Sequence, residues 1–139
     1  MDITFDTDTI RLVTLFENLT KATIKDCFVD DNGTVYFIVD EGKIGLAIGK
    51  NGKSVKAVER AIKKNIKIFE FSKDLVKFVK NIIPYVTNVN VETEGKKTAV
   101  QVAVDRKYKA LVIGRDGKNL ELYKKLLMRN HDVSGIQVR

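Results

Sequence analysis

The sequence predicts a mixed α/β (α+β) protein made of two tandem copies of one small unit, each a three-stranded sheet packed on helices. Three observations carry this. Residues 35–65, VYFIVDEGKIGLAIGKNGKSVKAVERAIKKN, lie without a gap over residues 100–130, VQVAVDRKYKALVIGRDGKNLELYKKLLMRN. Val35, Val39, Asp40, Leu46, Ile48, Gly49, Gly52, Lys53 and Asn65 are matched by Val100, Val104, Asp105, Leu111, Ile113, Gly114, Gly117, Lys118 and Asn130. Helical and strand periodicities recur in the same order around both copies, and 139 residues at 44% apolar content suffice for two small cores. The expected domains are residues 1–72 and 73–139.

Each copy opens with an amphipathic helix. In the first it runs over about Thr7 to Thr20, with Ile10, Val13, Leu15, Phe16 and Leu19 apolar; in the second over about Asp74 to Ile83, with Leu75, Phe78, Val79 and Ile82 apolar. Ser72 or Asp74 is available as the second helix's cap, which leaves a linker of only a few residues after Phe71. So short a joint predicts two grooves held as one track. Two β-rich runs follow in each copy: TIKDCFVD and TVYFIVD about a DNG turn, then YVTNVNVET and TAVQVAVD about EGKK. Asp40 and Asp105 stand where N-caps of a short helix are expected. A glycine turn, a longer helix and a closing strand (IKIFEF, then GIQVR) complete the unit. On the longer helix Val55, Val58, Ala61 and Ile62, matched by Leu120, Tyr123, Leu126 and Leu127, form the expected core stripe.

Charge and side-chain inventory exclude several function classes. Lysine plus arginine number 25 against 18 acids, a net +7 that favours a polyanionic partner. The charge is uneven: residues 1–32 carry seven acids and three bases, or −4, which leaves +11 for the rest. The acidic segment is expected to turn away from the polyanion, either as a solvated face or as a protein-docking surface. Cys27 is the only cysteine, so there is no internal disulfide; it reads as a small buried side chain. His131 is the only histidine and reads as a surface residue, and neither a metal site nor a catalytic dyad is expected. The opening MDITFDTDTIRL has neither a basic start nor an apolar run, and no segment is long and apolar enough for a bilayer. A cytoplasmic monomer without a cofactor is expected.

The chemistry concentrates in IGKNGKS at 48–54 and its looser copy IGRDGKN at 113–119. Residues 47–54 nearly satisfy the P-loop spacing, with Ala47 in place of the first glycine. A P-loop follows a strand, however, whereas EGKIGLAI reads as a helix; and Asn119 stands where the second copy would need a metal-binding hydroxyl. A nucleotide-hydrolysing sheet also needs more alternating elements than either unit supplies. Nucleic acid fits the same residues. Two glycines flanking two polar residues let the backbone approach a phosphodiester, and the next helix begins there with its free N–H groups and positive dipole end. Ile44, Leu46, Ile48 and Val55, or Leu111, Ile113 and Leu120, then form a wall against which unstacked bases can lie. The face carrying Lys53, Lys56, Arg60, Lys63 and Lys64 is a solvated face or a phosphate path.

Two such turns, each between helices of a six-element unit, resemble the KH module, which clamps about four nucleotides of single-stranded nucleic acid. IGLAIGKNGKSVKAVERAI and ALVIGRDGKNLELYKKLL carry the resemblance. The extra helix and strand on the N-terminal side are similar to the type II KH fold, and the tandem pair resembles the archaeal NusA-like transcription termination and antitermination factors. That resemblance implies binding of nascent single-stranded RNA, an effect on pausing or termination, the RNA polymerase elongation complex as partner, and no catalysis. The polymerase-contacting and OB-type domains that precede the KH pair in bacterial NusA have no counterpart in these residues. The expected RNA contacts are Ile48, Gly49, Lys50, Asn51, Gly52, Lys53 and Lys56 in the first copy, and Ile113, Gly114, Arg115, Asp116, Gly117 and Lys118 in the second. A KH protein of ribosome assembly or RNA processing would show the same motifs, and an adaptor using the fold without RNA is a further alternative.

Overall fold

The computed structural model describes residues 6–139; Met1 to Phe5, Asp2 of the acidic segment among them, lie outside the described residues. The chain divides after Ser72 into two compact units. In the first, helix α1 (Thr7–Thr20) begins at Asp6, whose carboxylate accepts from the Thr9 N–H at 2.8 Å, and ends at Lys21 in the left-handed conformation. Strands β1 (Ile24–Val29) and β2 (Val35–Val39) form an antiparallel hairpin. Strand β3 (Ile66–Glu70) returns parallel to β2, so β2 is central. A parallel return needs a crossover, which α2 (Ile44–Ile48) and α3 (Lys53–Ile62) supply. The apolar run VYFIV is accordingly buried at every position.

The first core joins Phe16 and Ala22 to Cys27, Val35, Phe37 and Val39 from the sheet, with Ala47 and Val58 from the crossover helices. Phe16 and Phe37 stack with ring centroids 4.2 Å apart. Both are fully buried, so truncating either to alanine would cost about 3–5 kcal/mol. Cys27 lies in this core, as its size and polarity predict.

Two expectations for this unit are corrected. Asp40 does not cap α2: Lys43 occupies that position without a side-chain cap bond. The Asp40 carbonyl instead accepts from the Lys43 N–H at 3.0 Å, closing a turn in which Gly42 has φ +83°, a conformation foreign to a right-handed helix. Ala61 is exposed rather than core. At about 100° per residue, Ile62 lies to one side of buried Val58 and Ala61 to the other, and it is Ile62 that packs against the core; Val55, also on the expected stripe, is only half-buried.

The acids of the N-terminal segment mostly organise backbone. Glu17 accepts from the Ile24 N–H at 2.9 Å. Buried Asp26 accepts from the Cys27 N–H at 2.8 Å. Asp30 takes the Asn32 and Thr34 N–H groups and the Tyr36 hydroxyl, each at 2.9 Å, and so fixes the β1–β2 turn. Their charges are used locally.

The second unit repeats the plan. Helix α4 (Leu75–Ile82) is capped by Asp74, which accepts from the Val76 N–H at 3.0 Å, while Ser72 is buried. Strands β4 (Val86–Glu94) and β5 (Lys97–Val104) pair antiparallel, and β6 (Gly135–Val138) runs parallel to central β5. Both hairpins carry a register irregularity near their open end, at Ile24/Asp26 and at Val86/Asn88. The crossover is α5 (Lys109–Ile113) and α6 (Lys118–His131). Asp105 does cap here, accepting from the Lys107 N–H at 3.1 Å at the head of a 3₁₀ turn, Arg106–Tyr108, that leads into α5. The core takes Phe78, Val79 and Ile82 from α4, Val100 and Val102 from β5, and Tyr123, Leu126 and Leu127 from α6. Burial raises the Tyr123 hydroxyl above its ordinary pKa. His131 is half-buried, not a surface residue: its ring lies 5.2 Å from that of Phe78, because α6 is long enough to carry it back over α4. Among the described residues no helix is long and apolar enough to cross a membrane.

Candidate nucleic-acid interface

The two glycine turns have the same backbone. Gly49 lies at φ +76°, ψ 171°, Asn51 at φ +57°, ψ 26°, and Gly52 at φ +74°, ψ 17°. Gly114, Asp116 and Gly117 repeat these values at φ +79°, ψ 169°, φ +57°, ψ 25°, and φ +73°, ψ 17°. Three left-handed or extended-positive residues in four explain the composition, since glycine bears such angles freely and asparagine or aspartate tolerates them. The N–H of the first glycine closes the short helix onto Gly45 or Ala110, and the second glycine's N–H donates back to the first glycine's carbonyl.

The two glycines serve different purposes. A Cβ on Gly49 would lie 2.8 Å from the Ser54 backbone nitrogen, and one on Gly114 would lie 3.0 Å from that of Asn119. These positions are bare because α3 and α6 press against them. Around Gly52 the nearest atoms to an added Cβ are 3.8 Å away, and around Gly117 there is nothing within 4 Å. That side is open, which is where a ligand backbone can come close.

Electrostatics and surface chemistry match the opening. Helices α3 and α6 start at Gly52 and Gly117 with no side-chain cap; the Lys53 and Lys118 N–H groups donate back to the Lys50 and Arg115 carbonyls, and the positive dipole end of each helix lies at its turn. Lys50, Asn51, Lys53 and Lys56 are exposed around the first turn, and Arg115, Asp116 and Lys118 around the second. Beside the turns stand apolar side chains that a core would normally claim: Leu46 is 48% and Ile48 43% exposed, and Leu111 60%. Ile44, Val55, Ile113 and Leu120 are half-buried and complete each wall. All the residues picked out at the turns thus gather around two open helix ends. Further along α3, an open cleft of about 850 Å³ lies between Lys56, Arg60, Lys63 and Lys64, with Glu59 and Asn65 among them, and the hairpin tip at Asn32 and Gly33. It continues the positive face of that helix.

Comparison with known proteins agrees with this geometry. A family model described as the KH domain matches residues 13–83, slightly more than half of the chain. The "Probable transcription termination protein NusA" of Methanocaldococcus jannaschii is 37% identical over 134 residues, covering 95% of this chain and 73% of that protein. The protein of the same name from Thermoplasma acidophilum is 30% identical over 140 residues, covering 99% of this chain and 96% of its own length. The chain belongs to the archaeal NusA-like family of KH-domain proteins. Among solved structures, the crystal structure of APE1850 superposes with a TM-score of 0.81 at 32% identity, covering 97% of this chain and 100% of that one.

One feature of the NusA-like chain escaped the sequence reading. Tyr85, at the turn between α4 and β4, stacks on Tyr108, in the 3₁₀ turn before α5, with ring centroids 4.0 Å apart and planes 7° from parallel. The two are 23 positions apart and joined only by the fold. The available signal was local: RKYK at 106–109 interleaves an aromatic with three cations, a pattern suited to nucleic acid.

Proposed function

We propose that this chain is an RNA-binding transcription termination or antitermination factor that grips single-stranded nascent RNA at its two glycine turns and catalyses nothing. The observation that carries the reading is the coincidence, twice, of an uncapped helix N-terminus, an open-sided glycine and exposed aliphatic side chains. In each unit the phosphodiester backbone runs past Gly52 or Gly117, near the first-turn N–H groups, while bases lie against Ile48 and Leu46, or Ile113 and Leu111. Gly49 and Gly114 set the turn. Lys50, Lys53 and Lys56, with Arg115 and Lys118, supply the counter-charge, and Asn51 and Asp116 occupy the left-handed position between the glycines.

The transcription role draws on the relatives, which carry the name of a transcription termination protein. The polymerase elongation complex is the partner this implies, with the protein acting as a cytoplasmic monomer on emerging RNA. The test is equilibrium binding of the full chain to an unstructured RNA and to a duplex of the same length across a salt series. Single-stranded RNA should bind more tightly, with log affinity falling against log salt by about 0.7 per phosphate engaged. Equal affinity for the two forms would remove the groove reading.

A further inference from the structure

The Tyr85–Tyr108 pair has three properties that a packing role does not require together. Tyr85 is 48% exposed although stacked, so one ring face is covered by Tyr108 and the rest of the ring remains open. It sits at φ +64° immediately after Pro84, in a turn position where glycine or asparagine is the usual occupant and a bulky aromatic is strained. Its stacking partner is also set in positive charge: the Lys107 ammonium lies 5.1 Å from the Tyr108 ring centroid, and exposed Arg106 and half-buried Lys109 neighbour these residues along the chain. Asp105, the acid beside them, accepts the Lys107 N–H as a cap.

We propose that Tyr85, backed by Tyr108, is a stacking platform for one unpaired nucleobase of the RNA strand, with the Arg106–Lys109 cations taking the adjoining phosphates. Rings held parallel at 4.0 Å present a rigid π-face at little further entropic cost, and base stacking on such a face tolerates any base. Cations around the ring select a polyanion rather than an apolar peptide. The spacing fits. From Tyr108 to Gly114 is six residues, or roughly 9 Å along the α5 axis, inside the reach of the strand that a glycine turn clamps. The platform belongs to the second unit alone, since Lys43 holds the position matched to Tyr108 in the first. It also stands in the unit whose turn carries Asp116 against the phosphates. Stacking there compensates for a weaker electrostatic grip.

The inference rests on RNA binding as proposed for the glycine turns, and the experiment separates the two. The full chain, Tyr85→Gly, Tyr85→Phe, Tyr85→Leu and a Lys50→Asp/Asn51→Asp variant are titrated against a labelled oligoadenylate of about ten nucleotides and against an abasic strand of the same length. Tyr85→Gly should weaken oligoadenylate binding by roughly 5- to 150-fold. It should leave affinity for the abasic strand unchanged and keep or raise the melting temperature, because glycine takes the positive φ without strain. Tyr85→Phe should bind like the parent. Tyr85→Leu, which keeps apolar bulk without a π-face, should follow Tyr85→Gly, so the proposal stays testable even if the glycine variant folds poorly. Wild-type affinity in Tyr85→Gly alongside lost affinity in the Lys50/Asn51 variant would overturn the platform and leave the RNA reading standing. An equal loss on the abasic strand would overturn it as well. A parent chain that binds neither strand would remove both.

Discussion

Replacing Gly49 and Gly52 separately by alanine tests whether the two glycines of the turn have the different purposes that their surroundings indicate. At φ +76°, ψ 171°, Gly49 occupies a region essentially restricted to glycine, and an alanine held there stores about 1–3 kcal/mol of backbone strain. Its Cβ would also meet Ser54 backbone nitrogen at 2.8 Å. Backbone at the head of α3 cannot rotate away as a side-chain tip can, so overpacking adds about 1–3 kcal/mol. Gly52, at φ +74°, ψ 17°, has its nearest atoms 3.8 Å from an added Cβ, so alanine there costs only the left-handed term, about 1–2 kcal/mol. Gly49→Ala should therefore destabilise the first unit by about 2–6 kcal/mol, clearly more than Gly52→Ala. Urea unfolding of the full chain followed by circular dichroism measures both. In RNA titrations the order should reverse per unit of stability lost, since the Gly52 methyl projects where the phosphate comes close. The same contrast is expected between Gly114 and Gly117, whose surroundings differ in the same way. Equal stability losses at Gly49 and Gly52, or a larger one at Gly52, would refute the division of labour.

Lys50→Asp combined with Asn51→Asp should leave the melting temperature nearly unchanged, because both side chains are exposed and aspartate already occupies the matching left-handed position as Asp116. RNA affinity should fall on the order of tenfold or more, since like charges about 5 Å apart repel by roughly 3 kcal/mol at an effective dielectric of 20 before salt screening; a large drop in melting temperature would place the turn in the core. Asp116→Asn should tighten RNA binding modestly and lower stability by about 0.3–1 kcal/mol, as a favourable charge leaves the α6 N-terminus, while Arg115→Ala weakens binding. If neither variant alters affinity, the second turn does not grip the backbone. Two groups set pH limits of opposite sign. Hydrogen bonds from Thr9 hold the Asp6 carboxyl below its ordinary 3.8, so its stabilisation is complete above that pH and is lost as pH falls towards the lower folded value. Burial holds Tyr123 above its ordinary 10.0, so the parent should lose stability relative to Tyr123→Phe as pH rises past 10. Denaturant curves for Asp6→Asn and Tyr123→Phe across pH check both; a gap that is unchanged below pH 3.8 or above pH 10, respectively, would contradict them.

The sequence alone determined whatever depends on local backbone preference and on the repeat. Gly49, Gly52, Gly114 and Gly117 announce positive φ because few other residues bear it, and the ungapped 65-residue offset required one unit to be read twice. Helix and strand periods located Phe16, Val58, Phe78 and Leu127 in cores for the same reason: a 3.6- or 2-residue spacing is a property of neighbours along the chain. Single-residue readings failed where one neighbour overrode another. Asp40 has the chemistry of a cap, but Gly42 bends the chain before a helix can start, whereas Lys107 at the matching place lets Asp105 cap. Tertiary structure decided the rest, through distances that no spacing encodes. Packing turned α3 so that Ala61 faces solvent, drew Asp26 and Glu17 out of an apparent acidic surface to satisfy backbone N–H groups, and laid His131 on Phe78. Above all it brought Tyr85 onto Tyr108 across the whole β4–β5 hairpin. That contact arises because the antiparallel pairing of β4 with β5 sets Val86 opposite Val104 and so brings the residue before β4 beside the turn after β5, and the stacking of the two rings exists only once the hairpin has closed.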